Sequence, residues 1–283
     1  MDARQERHEE QHAYWNGEPG TRWLARADVT DHMLAPVLAA AIDAAHVKPR
    51  ETVLDIGCGC GASVIALADK VGPDGHVVGV DISEGMLALA QRRTAHLRQA
   101  ECLVTDAATH DSSSLKADLV FSRFGVMFFG DPGAAFGNIK KALKPGGRIL
   151  FACWRPIAEN GWMDVPLRAA YEHVPKMPRP GPEDPGPFSF ADPERVKRIF
   201  HEAGLPEPSF TKCDVQIDIA AGGTLDDAVQ SASEIGATAR ALQDAPDELR
   251  RPALAAVRRA LEAYVTPTGV PLPGAVWLVS ASV

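Results

Sequence analysis

From Thr52 onward, short apolar runs alternate with amphipathic stretches. Thr52 to Ile56, His76 to Val80, Cys102 to Thr105 and Asp118 to Ser122 each read as a strand. Between them, Ala62 to Lys70 and Ser83 to Leu97 carry helical spacing, the second with Ser83 at its cap. Asp131-Pro132 opens a further helix, because the carboxylate accepts the unpaired N–H groups of a first turn and proline suits that turn. That helix runs to about Leu143 and stops at Lys144-Pro145-Gly146-Gly147, before a strand from Arg148 to Trp154. Strands alternating with helices over about 100 residues predict parallel βαβ units and a right-handed, doubly wound α/β sheet.

The flanks follow other patterns. Residues 1–30 are polar yet contain Tyr14, Trp15 and Trp23, too many large rings for a simple disordered tail. A helix is expected from Thr30 or Asp31 to about His46, stopped by Pro49. The run Pro175, Pro178, Pro180, Pro182, Pro185, Pro187 excludes regular structure and reads as an exposed connector or lid edge. Asp192-Pro193 starts a helix ending near Gly204, and Ser209 to Ile219 alternates like a strand. Leu225 to Tyr264 is helical in two pieces broken near Pro246, and Ala275 to Ser282 is a final strand. The expected organisation is an N-terminal helical cap segment over 1–48, a core over 49–155, and a continuation of the sheet over 156–283. Insertions at about 156–190 and 224–264 in that last part would cover one end of the sheet.

Length and composition narrow the class. The 283 residues suit two domains or one elaborated one, and 46% hydrophobic residues exclude a disordered chain. With 29 Lys+Arg against 37 Asp+Glu the net charge is -8, which argues against nucleic acid as the main partner. The five cysteines are scattered without a C-x-x-C pair, so neither a zinc ribbon nor a thioredoxin-type site is expected. The polar stretch Met1 to Gln11 is no signal peptide, and no uncharged apolar run reaches the roughly 18 residues of a membrane span. A cytoplasmic protein with no metal and no membrane partner is expected.

Candidate chemistry centres on Val53-Leu54-Asp55-Ile56-Gly57-Cys58-Gly59-Cys60-Gly61-Ala62. A strand running into glycines and then a helix brings backbone close to a ligand at the carboxyl edge of a sheet. Gly57, Gly59 and Ala62 also fit the G-x-G-x-x-A dinucleotide fingerprint, so an NAD(P)-linked oxidoreductase is one reading. Electrostatics separates the two. A dinucleotide sets a doubly charged pyrophosphate at this loop, where Asp55 would repel it. S-adenosylmethionine instead carries an ammonium and a sulfonium, and a charge pair at about 4 Å is worth about 4 kcal/mol before desolvation. Asp81, twenty residues after Gly61 at the end of the second strand, suits the ribose hydroxyls of either cofactor.

Asp55-x-Gly57-x-Gly59-x-Gly61, Asp81, Thr105-Asp106-Ala107 and Leu143-Lys144-Pro145-Gly146-Gly147 together resemble the class I S-adenosylmethionine-dependent methyltransferases. The resemblance is nearest to the small-molecule group of ubiquinone and menaquinone C-methyltransferases, and it is dense over about residues 50–155. It implies a Rossmann-like seven-stranded sheet with the last strand antiparallel, and cofactor across the first, second and fourth strands. By the same resemblance, Asp106 meets the adenine amino group and Ala107 its ring, Ile82 and Met86 flank the adenosine, and Ser122-Arg123-Phe124 lines the methionine side. Cys58 belongs to the same loop, where two cysteines one residue apart in a glycine turn make a poor metal site.

For the acceptor, the fourth strand is followed by Ser122-Arg123-Phe124-Gly125 and lacks the Asn/Asp-Pro-Pro-aromatic motif of enzymes that methylate base or amide nitrogens. A small-molecule acceptor is expected, with Tyr14, Phe124, Phe128, Trp154 and Trp162 as its pocket. Ordinary core packing is the alternative for each. Trp15 and Trp23 are expected to fold with the N-terminal segment over the cofactor and exclude water. Arg123 either holds a carboxylate or pairs with Asp131 or Asp118, the pairing being preferred. No histidine stands out as a base. A silent adenosylmethionine-binding protein remains a rival to the enzyme.

Overall fold

The computed structural model describes residues 3–178 and 180–283. Three helices, α1 (Ala3–Asn16), α2 (Glu18–Ala25) and α3 (Ala27–Ala45), precede β1 (Thr52–Ile56), α4 (Ala62–Val71), β2 (His76–Asp81), α5 (Glu84–Thr94) and β3 (Ala100–Val104). Then come β4 (Ala117–Arg123), α6 (Pro132–Ile139), β5 (Leu143–Trp154), α7 (Gly161–Ala170), α8 (Pro193–Glu202) and β6 (Ser209–Asp218). The chain closes with α9 (Leu225–Glu234), α10 (Gly236–Leu242), α11 (Asp247–Glu262) and β7 (Pro271–Ser282).

The seven strands form one sheet in the order β3-β2-β1-β4-β5-β7-β6. Strands β1 to β5 pair in parallel, and β7 runs antiparallel to both β5 and β6. This is the doubly wound, seven-stranded arrangement with an antiparallel last strand that the motifs implied. The order reverses direction at β1, so β1, β2 and β4 deliver their carboxyl ends to one crevice. Leu54, Val77, Leu119, Phe121 and Phe151 are buried in the sheet, and Phe136 packs its ring 5.1 Å from Phe200 to bind α6 to α8.

Several boundaries differ from those read in the sequence. Helix α3 starts at Ala27, not at Thr30 or Asp31, because α2 runs almost directly into it; Thr30 Oγ1 donates back to the Arg26 carbonyl 2.9 Å away. Ser83 sits at the start of α5, but its hydroxyl donates to the Trp15 carbonyl (3.0 Å) and makes no cap. The 225–264 stretch holds three helices, the extra break falling at Gly236 with φ +79°. Helix α7 was not legible, since Pro166 lies inside it and the proline run follows soon after. Strand β7 begins at Pro271, earlier than Ala275. Its residues 271–275 pair with β6 alone, so Pro271 and Pro273 lie on a local edge that tolerates a missing N–H.

Candidate functional site

The crevice is built from the turns after β1, β2, β3 and β4. Gly57, Gly59 and Gly61 all have positive φ (+67°, +55° and +88°), the left-handed region that a side chain disfavours. A Cβ on Gly57 would stand 2.6 Å from the Gly125 Cα, so the turns after β1 and β4 touch backbone to backbone. Ser122 staples them: its hydroxyl donates to the Ile56 carbonyl (2.7 Å) and accepts the Gly125 N–H (3.1 Å).

The amides of this turn point inward. Gly57 and Cys58 both donate to the Val80 carbonyl at 2.8 and 3.1 Å, Gly61 donates to the Cys58 carbonyl at 3.0 Å, and Gly59 donates to Asp81 Oδ2 at 2.8 Å. Asp81 Oδ1 accepts the Ser83 N–H at 2.9 Å. Burial raises the Asp81 carboxyl above its ordinary range, opposed by the Ser83, Gly59 and Ile82 amides. Asp55 lies wholly buried at the end of β1. Its Oδ2 accepts the Ser63 hydroxyl at 2.5 Å, while its Oδ1 has no hydrogen-bond partner. Burial pushes this carboxyl up to about 7 against the Ser63 hydrogen bond and the Arg123 charge.

Arg123 does not pair with Asp118 or Asp131. Its Nη2 lies 3.7 Å from Asp31 Oδ1 on α3, and its buried Nη1 has no partner. Asp118 is taken by Lys144 and the Thr52 N–H, and Asp131 caps α6 through the Ala134 N–H. Asp31 also binds Arg93 at 2.8 Å, so α3, α5 and β4 meet in one charged cluster beside the glycine turn. The sequence carried no signal for Asp31, since its partners lie 62 and 92 positions away. Ser63 carried a weak one, a small polar residue in the first turn of the helix after the glycines.

The N-terminal helices lie against this edge. Asn16 Nδ2 donates to the Ile82 carbonyl at 3.0 Å and Asn16 Oδ1 accepts the Glu84 N–H at 3.1 Å. Trp15 meets Phe128 edge to face at 5.0 Å, with Tyr14 and Trp23 around it at 5.2 and 6.1 Å. Asp106 accepts the Ala108 N–H and the Thr109 hydroxyl and stands 3.4 Å from His8 Nε2. Phe124 stacks on Trp154 at 4.1 Å, and Trp154 meets Trp162 at 5.3 Å.

Some residues grouped with the cofactor are otherwise employed. The Ser122 hydroxyl is spent on the Ile56 and Gly125 backbone. Cys58 is buried with its thiol turned to Gly79 and Cys102. Met86 is buried at the glycine turn itself, beside Gly59, and Trp162, which was grouped with the acceptor, lies under α9 and α10. Asp55, Gly57, Gly59, Gly61, Asp81, Ile82, Asp106, Ala107 and Arg123 do gather at the one sheet edge, faced by Trp15.

An open-edged sheet of this order, with a carboxylate under the glycine turn and another on its amide, defines a nucleoside-binding α/β protein of the methyltransferase type. The comparisons agree. A family model described as a methyltransferase domain matches residues 47–204, more than half of the chain, and the chain belongs to that family. It is 34% identical over 155 residues to aklanonic acid methyltransferase DauC of Streptomyces sp. (strain C5), spanning 51% of this chain and 70% of that protein. It is 29% identical over 179 residues to a demethylmenaquinone methyltransferase of Staphylococcus saprophyticus, spanning 56% and 72%. Haemonchus contortus phosphoethanolamine N-methyltransferase 2, solved with phosphomonomethylethanolamine and S-adenosylhomocysteine, shares the fold at TM-score 0.50 and 19% identity, over 87% of this chain and 52% of that one. By family the chain is thus an S-adenosylmethionine-dependent methyltransferase. Among the described residues, no helix is long and apolar enough to cross a membrane.

Proposed function

We propose that this chain binds S-adenosylmethionine across the ends of β1, β2 and β4 and aligns its methyl group with a small-molecule nucleophile for in-line displacement. The observation that carries the reading is the direction of the loop amides. Gly57, Cys58, Gly59 and Gly61 all donate their N–H groups within the protein. A pyrophosphate would find those donors spent, with the Asp55 carboxylate beneath it. The residues fit the sulfur nucleoside in its charges too. Asp55 Oδ1 and Arg123 Nη1 are buried groups of opposite sign without partners, matched to the ammonium and carboxylate of an amino acid.

In this reading Asp81 takes the ribose hydroxyls, Asp106 and Ala107 face the adenine, and Ile82 and Met86 pack on the adenosine. The cofactor supplies a methyl group already activated by its sulfonium. The protein supplies alignment, which accounts for about 7–11 kcal/mol of such a barrier. The rings of Trp15, Phe124, Phe128 and Trp154 exclude water from the transfer. Trp23 and Tyr14 hold Trp15 in place. Nucleic acid is not a partner in this reading, and the five free cysteines suit the cytoplasm.

The test is a melting shift. Adenosylhomocysteine at 100 times its dissociation constant stabilises by about 2.7 kcal/mol, roughly 5–10 °C here. NADH is expected to give no shift, and Asp81→Ala to lose most of the nucleoside shift. A shift with NADH and none with adenosylhomocysteine would overturn the reading. Product mass on a panel of phenols, amines and carbon acids then separates a working enzyme from a silent binder.

A further inference from the structure

Helix α1 lies across the crevice on a single stripe. Of residues 5–16, Arg7, His8, Gln11 and Trp15 are partly covered and the rest are exposed, which is the spacing of one helical face. Three of the four have a landing point on the rim of the site. Arg7 Nε donates to the Gly130 carbonyl at 3.2 Å beyond β4, and His8 Nε2 stands 3.4 Å from Asp106 Oδ2 beyond β3. Trp15 meets Phe128 edge to face at 5.0 Å. Asn16, at the end of the same helix, reaches the Ile82 carbonyl beyond β2. Gln11 is the fourth residue of the stripe. It lies between the His8 and Trp15 contacts, and its Oε1 is buried with no hydrogen-bond partner among the described residues. A buried acceptor without a donor is unfavourable and calls for a donor that arrives with a ligand.

We propose that Gln11 is a cofactor-binding residue whose Oε1 accepts an N–H of the adenine 6-amino group, so that α1 reads the base as well as covering it. The assignment rests on the methyl-transfer reading above and adds a residue to its cofactor site. The choice of donor follows from a count. S-adenosylmethionine offers an ammonium, two ribose hydroxyls and a 6-amino group with two N–H bonds. In that reading the unpartnered Asp55 Oδ1 takes the ammonium, and the two oxygens of Asp81 take the two hydroxyls. Asp106 already accepts the Ala108 N–H and the Thr109 hydroxyl, with His8 against the same Oδ2. It takes one amino N–H, and the second is the donor left over. Gln11 stands one helical turn on from His8, about 5–6 Å between Cβ atoms, within reach of a group held at Asp106. A 6-oxo base would set its own acceptor against Oε1, so the same contact discriminates between bases.

The probes are S-adenosylhomocysteine and S-inosylhomocysteine, in which an oxygen replaces the 6-amino group, titrated calorimetrically into the full chain. The unmodified protein is expected to bind the adenosyl compound at least about tenfold tighter, since two hydrogen bonds go with the amino group. Gln11→Met keeps the length of the side chain and removes the acceptor. It should weaken the adenosyl compound roughly threefold to tenfold, the worth of one hydrogen bond, and leave the inosyl compound unchanged or tighter. Equal weakening of both compounds overturns the assignment, since Gln11 then only packs α1. No change in either overturns it as well, Oε1 then facing only a buried water. So does a smaller preference than expected on the unmodified protein. If Gln11→Met does not fold, Gln11→Glu decides, because it keeps an acceptor oxygen. A preference for the adenosyl compound that is preserved or widened in Gln11→Glu upholds the contact, and a narrowed one overturns it. Failure of the unmodified protein to bind the adenosyl compound at all condemns the underlying cofactor reading instead.

Discussion

The contact between the turns after β1 and β4 makes a quantitative claim about three glycines. Gly57→Ala meets two obstacles. Its φ of +67° is a conformation that costs an L-residue about 1–2 kcal/mol. Its new Cβ would lie 2.6 Å from the Gly125 Cα, where ordinary contact begins at 3.4 Å, so two backbones must part. Overpacking of that kind costs about 1–3 kcal/mol. Gly125→Ala meets only the second obstacle, because its φ is -70° while its Cβ would stand 2.5 Å from the Ile56 carbonyl oxygen. Gly59→Ala meets only the first, with φ +55° and nothing nearer than the Met86 sulfur at 3.9 Å.

Gly57→Ala is therefore expected to lose about 2–5 kcal/mol, a melting decrease of roughly 5–15 °C for a chain of this size. Gly125→Ala should lose about 1–3 kcal/mol and Gly59→Ala about 1–2 kcal/mol, each less than Gly57→Ala and together about its whole loss. The cofactor response should follow a different order. Gly59→Ala keeps its fold but sets a methyl group on the cradle, and its adenosylhomocysteine affinity is expected to fall at least tenfold. Calorimetric melting with and without the nucleoside reads both quantities. Equal melting temperatures for Gly57→Ala and Gly59→Ala would refute the steric argument. Full nucleoside affinity in Gly59→Ala would refute the placement of the cofactor on this turn.

Three further outcomes follow from the same geometry. Asp55 holds its proton up to about pH 7 when folded and releases it near 3.9 when unfolded, so between those values the native state binds the extra proton. Stability should fall by roughly 4 kcal/mol as pH rises through that window and level off above 7, and Asp55→Asn should remove the slope in melting scans; parallel profiles would sink the assignment. Asn16→Ala removes the two hydrogen bonds that join α1 to Ile82 and Glu84. It should change stability by no more than about 1–3 kcal/mol yet quicken adenosylhomocysteine release in stopped flow, and an unchanged off-rate would detach α1 from the site. Gly137→Ala lies inside α6 with open space where its Cβ would be, and should raise stability by about 0.4–1 kcal/mol in denaturant titration.

The parts of this molecule written in the sequence are those that depend on near neighbours. Strands β1 and β2, the Asp131 cap of α6 and the Asp192 cap of α8 all appear where local pattern set them. Glycines 57, 59 and 61 were legible because each turn needs a conformation that one residue type favours. What was missed is long-range. Arg123 finds Asp31, and Ser83 serves Trp15 rather than its own helix. The break at Gly236 was hidden because its flanks, 225–234 and 236–242, carry one helical pattern across the joint.

Those long-range contacts also explain how an acidic chain forms a site for a cationic cofactor without an unbalanced interior charge. Asp55 alone under the glycine turn would be held neutral by burial, and a neutral carboxyl attracts no ammonium. Arg123 lowers that barrier, but a lone guanidinium there would repel the same ammonium. Asp31 on α3 offsets it, and Arg93 in turn steadies Asp31 at 2.8 Å. The charges alternate from Asp55 to Arg123 to Asp31 to Arg93. Because Asp55 sits near neutral pH, arrival of a cation is what tips it to the ionised form. Cofactor binding should therefore release a proton between about pH 6 and 7. Calorimetry in two buffers of different ionisation enthalpy reads that proton directly, and zero release would leave Asp55 a structural acid only.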